Sequence, residues 1–112
     1  MDDGFYTMTY VGAVGMGLAV FLFEDGKVRG FDMRGGKYDG AYVRHPDGSV
    51  EARANLLVLP GVELVTGMPP PDRIVNVPLT ARLPTNAADG ATYPITVGDR
   101  QAQASFKYMR SV

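Results

Sequence analysis

From Val50 to Val58 the chain alternates in type. Val50, Ala52, Ala54, Leu56 and Val58 are apolar or small, with Glu51, Arg53 and Asn55 between them. A period of two sends successive side chains to opposite faces of an extended strand and does not suit a helix. The same alternation returns in Val75, Val77, Leu79, Ala81 and Leu83 against Asn76, Thr80 and Arg82, and in Ala102, Ala104, Phe106 and Tyr108 against Gln101, Gln103, Ser105 and Lys107. Nowhere do apolar residues recur at i, i+3, i+4 and i+7 over a helix's length.

Turn signals cut the chain at short intervals: Asp25-Gly26, Gly35-Gly36, Pro46-Asp47-Gly48, Asp89-Gly90 and Gly98-Asp99. These residues tolerate positive φ or start a turn. Strands are predicted over Phe5 to Val11, Gly17 to Glu24, Lys27 to Asp32, Tyr38 to Arg44, Val50 to Val58, Val75 to Leu83, Ala91 to Val97 and Gln101 to Met109. Asp25-Gly26 is the strongest hairpin signal among them. A further short strand is expected from Val62 to Thr66, then a stiff extended connection through Pro69-Pro70-Pro71, and at most one helical turn from Pro84 to Asp89. Pro78 lacks an amide donor, which assigns its strand to an edge or its position to a bulge. About eight short antiparallel strands in a single domain, residues 1–112, make a barrel or a sandwich.

Composition narrows the chemistry. The chain has no Cys, which removes disulfides and thiolate sites, and its one His, His45, is too few for a zinc centre or a His-based triad. Eleven basic against twelve acidic residues leave a net charge of −1, without the basic excess of a nucleic-acid binder. The longest apolar stretch, Val11 to Phe23, is a buried strand too short for a spanning helix, so no membrane role is expected. An acidic start and the absence of Cys indicate a cytoplasmic protein. Gly12, Gly15 and Gly17 give G-x-x-G-x-G, but a strand follows where a nucleotide loop needs a helix. Asp32 and Asp39 flank the Gly35-Gly36 turn and could face each other across a hairpin, whereas turn-adjacent Asp commonly caps backbone amides. Lys27, Arg29, Arg34 and Lys37 form a basic cluster interrupted by Asp25, Asp32 and Asp39, read as a solvated strand face. No catalytic set, metal site or cofactor site emerges, and an enzyme is not expected.

One segment exceeds what a small barrel strand requires. Leu18, Val20 and Leu22 occupy one face, and Ala19, Phe21 and Phe23 the other. A strand with one wet face has no use for apolar residues on both. The outer face is expected to be covered either by a second copy in a homodimer, through Leu18, Val20 and Leu22, or by the chain's own Val62 to Pro71 connection.

Gly4-Phe5-Tyr6-Thr7, Gly15-Met16-Gly17, Asp25-Gly26-Lys27-Val28, Gly30-Phe31-Asp32 and Tyr38-Asp39-Gly40-Ala41-Tyr42 together resemble the GrlR-like family, whose namesake is a negative regulator of a type III secretion gene cluster. The likeness covers the first half of the chain well and the second half in strand pattern. It implies an all-β fold, a small antiparallel eight-stranded calycin-like β-barrel, dimeric, that acts by binding a protein partner such as a transcriptional activator. The acidic run that carries the namesake's partner contact is absent here: the matching turn reads Arg44-His45-Pro46-Asp47-Gly48. The alternative is a carrier or sensor of a small apolar ligand, with Tyr6, Met8, Tyr10, Phe106 and Tyr108 lining the barrel or, more simply, filling its core.

Overall fold

A computed structural model, describing residues 1–112, is a closed antiparallel barrel in which each strand pairs with the next and the last with the first. The strands are β1 (Gly4–Gly12), β2 (Gly15–Glu24), β3 (Lys27–Asp32), β4 (Lys37–Arg44), β5 (Val50–Val58), β6 (Val75–Leu83), β7 (Thr92–Val97) and β8 (Arg100–Arg110). Closure decides between the barrel and the sandwich. The expected Val62 to Thr66 strand does not form; that segment belongs to a long connection, residues 59–74, with no regular structure. The helical turn near Pro84 is a short 3-10 segment, Ala87–Asp89.

The interior divides into two kinds of wall. β1, β2 and β4 turn aromatic rings inward, Tyr6, Phe21, Phe23, Tyr38 and Tyr42, while β5 and β6 answer with small and aliphatic residues, among them Ala52, Leu56, Leu79 and Ala81, and β8 with Ala102, Ala104 and a single ring, Phe106. An eight-stranded barrel is only wide enough for its side chains to fill, so large residues on one wall require small ones opposite. The rings meet edge to face: Tyr6 with Phe23 at 5.4 Å and Phe21 with Tyr38 at 5.0 Å between centroids. That geometry sets the positive edge of one ring on the negative face of the other.

Pro78 is not on an edge, because a closed barrel has none, and the β5–β6 register passes through Asn55–Pro78 without a bulge. Its carbonyl accepts from the Gly98 amide at 2.7 Å, which directs its backbone toward β7. The β6–β7 register of Leu79 with Val97 and Thr80 with Thr96 then makes Pro78–Gly98 and Thr80–Thr96 hydrogen-bonding positions by alternation. Two residues on, Pro94 faces the same seam. A proline therefore stands at each end of this ladder, where each withholds a donor. β1 and β2, by contrast, pair without interruption from Gly4–Phe23 to Gly12–Gly15.

Candidate functional site

Two regions are not explained by core filling: the end of the barrel under the 59–74 connection, and the outer face of β1, β2 and β3.

The connection, here the strap, closes the end carrying the β1–β2, β3–β4 and β7–β8 turns. The Val14 amide donates to the Val65 carbonyl at 2.9 Å. Arg34 donates to the Glu63 carbonyl, and Arg100 to that of Thr66 at 3.2 Å. At Gly12 the strap backbone at Val65 lies where a Cβ would stand, so only glycine permits this approach. Beneath the strap is a cavity of ≈ 30 Å³, bordered by Met8, Tyr10, Asp32, Leu79 and Ala102 of the barrel and by Leu64, Val65 and Thr66 of the strap. The Oγ1 of Thr66 is buried without a hydrogen-bond partner.

Asp32 is buried at the rim of this cavity. Its Oδ1 accepts from the amides of Arg34 and Gly36, both at 2.9 Å, and its Oδ2 from the Tyr38 hydroxyl at 2.9 Å. Acceptance from three donors is the capping role open to a turn-adjacent Asp. Asp39 lies exposed on the outer surface, so the two acids occupy opposite sides of the sheet and do not face each other. Burial pushes the Tyr38 hydroxyl's pKa well above that of a free tyrosine, and the neighbouring Tyr10 and Asp32 push it further.

Of the five expected lining residues, Tyr6, Met8 and Phe106 are buried in the core. Tyr10 is half-buried beside the strap cavity. Tyr108 is 40% exposed at the opposite end, its ring 5.3 Å from that of Tyr6. A single tube lined by all five does not exist. The Tyr6 hydroxyl donates to the Asp2 carbonyl at 2.5 Å, and burial pushes its pKa up to about 12. The vacant interior is at the other end, marked in sequence only by Met8 and Tyr10. The strap's contribution carried no periodic signal, because its apolar residues are spaced by no regular element.

The strap's hydrogen bonds fall at the end of the barrel, on Val14, Arg34 and Arg100, and none reaches the outer face of β2. Ala19, Phe21 and Phe23 point into the core, and Leu18, Val20 and Leu22 point outward. Cross-strand register sets Val20 between Thr7 and Phe31, and Leu22 between Phe5 and Arg29. Phe31 is 57% and Met33 77% exposed, and Val11 and Met16, a registered pair, extend the apolar strip toward the strap end. Lys107 flanks the strip beyond Thr7, and Lys37 flanks it beyond Phe31. The expected basic cluster thus separates: Lys27, Arg29 and Lys37 border this face, while Arg34 holds the strap.

His45 contacts Glu51, with Nε2 3.2 Å from Oε2, and Asp47 accepts from the amide and hydroxyl of Ser49 at 2.9 and 2.6 Å. No three His, Asp or Glu side chains converge as a metal ion would need. No helix is long and apolar enough to cross a membrane. No family model and no curated protein matches the chain.

Proposed function

We propose that this protein is a non-catalytic binding barrel of the bacterial cytoplasm that works through protein–protein contact, with a second copy of itself on the outer face of β1, β2 and β3. The carrying observation is an apolar strip on the outer face in which Leu18, Phe31 and Met33 are exposed and Val20 and Leu22 are half-buried between them. A contiguous exposed apolar patch with a polar border is the anatomy of an interface. Here Lys107, Arg29 and Lys37 form that border. A two-fold pairing makes such a strip its own counter-surface, since each copy presents the same residues to the other. The likeness to the GrlR-like family supports a negative regulatory role exerted by binding an activator. The lack of an acidic run at Arg44 to Gly48 implies that any such contact is made elsewhere.

Sedimentation velocity of the wild type and of Val20→Asp tests the interface. The wild type is expected as a dimer at high micromolar concentration and the variant as a folded monomer by circular dichroism. A monomeric wild type removes the self-association. A pull-down from the native organism that recovers the protein alone counts against the regulatory role.

A further inference from the structure

We propose that the cavity beneath the strap binds a single ordered water molecule, which joins the Thr66 hydroxyl of the strap to the Tyr10 and Asp32 rim of the barrel. This site is independent of the outer face, and either assignment can fail without the other.

Thr66 sits in a buried turn. The Gly67 amide donates to the Leu64 carbonyl at 2.9 Å, which makes Val65 and Thr66 the central residues, 5% and 4% exposed. Both are bonded to the barrel through their backbones. The Val65 carbonyl accepts from the Val14 amide at 2.9 Å, and the Thr66 carbonyl from Arg100 Nη1 at 3.2 Å. The turn is therefore held in place, and Thr66 stays in the cavity wall. Its Oγ1 is buried and has no partner within the protein. Buried polar groups are bonded either to protein or to ordered water, because an unmade bond is costly.

The space beside Thr66 suits a water and little else. The cavity of ≈ 30 Å³ exceeds the roughly 10–15 Å³ that one water needs. It is far below the roughly 300–1,000 Å³ of small-molecule sites. A water enters without breaking any of the strap's bonds to the barrel. A wholly apolar cavity stays dry, but Tyr10, Asp32 and Tyr38 border this one together with Thr66. Asp32 Oδ2 accepts from the Tyr38 hydroxyl at 2.9 Å and, as a carboxylate oxygen, keeps a lone pair for a second donor. Burial raises the pKa of Tyr10 first, and the charge of Asp32 raises it further, so its hydroxyl stays protonated beside the same rim. Arg34 donates to the strap's Glu63 carbonyl and is not needed. Thr66, Tyr10 and Asp32 together supply the two to four partners that a buried water takes. Thr66 then holds the barrel directly through its carbonyl and through the water by its side chain.

Magnetic relaxation dispersion of the water oxygen nucleus responds to waters held inside a protein and ignores exchanging hydroxyl protons. It is measured on the wild type, Thr66→Val and Thr66→Ser, each checked for folding by circular dichroism. The wild type is expected to show an internal-water contribution. Thr66→Val, which keeps the shape and removes the hydroxyl, is expected to lose a single water's share of it, and Thr66→Ser to keep it. Urea unfolding gives a second readout with a sign. A hydroxyl bonded to water makes Thr66→Val unfold at lower urea, whereas an orphaned one makes it unfold at equal or higher urea. No internal water in the wild type, an undiminished contribution in Thr66→Val, or an equal or raised urea midpoint for that variant would each overturn the proposal.

Discussion

The rings of Phe21 and Tyr38 meet edge to face at 5.0 Å across Gly30, which is registered with Phe21 on one side and Tyr38 on the other. Gly30 supplies no side chain, and the two neighbours close over the gap. A Cβ there would lie 2.5 Å from the Val20 carbonyl oxygen and 2.6 Å from Phe21 Cδ1. Gly30→Ala is therefore expected to destabilise by about 2 kcal/mol, within the usual cost of overpacking. Urea unfolding followed by circular dichroism measures it, and a neutral result would show that the rings separate freely.

Asp32 joins the β3–β4 turn to the core by accepting from two amides and from Tyr38. Asp32→Ala strands all three donors in a partly buried turn. A loss of about 3 kcal/mol is expected, against about 1 kcal/mol for Tyr38→Phe, which removes one partner only. The two midpoints in denaturant compare them directly.

Asp3 ties the first residues to β4: its carboxylate accepts from the Tyr42 hydroxyl and from Arg44 Nη2 at 3.0 Å. These bonds, Tyr42's first, hold its pKa below the ordinary 3.8. A carboxylate with a lowered folded pKa contributes stability above its unfolded value, and loses it as pH falls through the folded one. The wild type should lose this contribution below about pH 4. Asp3→Asn should be less stable near neutrality and show a shallower acid decline in thermal unfolding scans. Parallel acid limbs in the two proteins would refute the assignment.

The β6–β7 ladder, registered at Leu79–Val97 and Thr80–Thr96 and ended by Pro78 and Pro94, is the thinnest seam of the barrel. Among amides bonded across a ladder, hydrogen exchange is expected to be fastest at Thr80 and Thr96 and slowest along the uninterrupted β1–β2 pair. Uniform protection around the barrel would show that opening is global.

Much of the fold was legible from residues alone. Period two in β5, β6 and β8 fixed their inward faces, and Asp25-Gly26 fixed the β2–β3 hairpin. The glycines were legible only where they turn the chain. Gly12 and Gly30 serve close approach, to the strap backbone and to a neighbouring strand, and proximity of distant segments leaves no local pattern. Leu18, Val20 and Leu22 stood out because a barrel strand needs one apolar face. The strap cavity stayed hidden, since half its wall is aperiodic. Pro78 pointed to an edge or a bulge, and the role of Pro94 at the other end of the seam became visible only with the register.

Those two prolines bear on what happens when the barrel opens. A sheet parting at β6–β7 exposes two strand edges that a neighbouring molecule could extend into an intermolecular sheet. Each of those edges carries a proline in the hydrogen-bonding direction, and proline on an edge hinders such growth. The place where the molecule yields most readily is also a place where the open form is a poor template for aggregation.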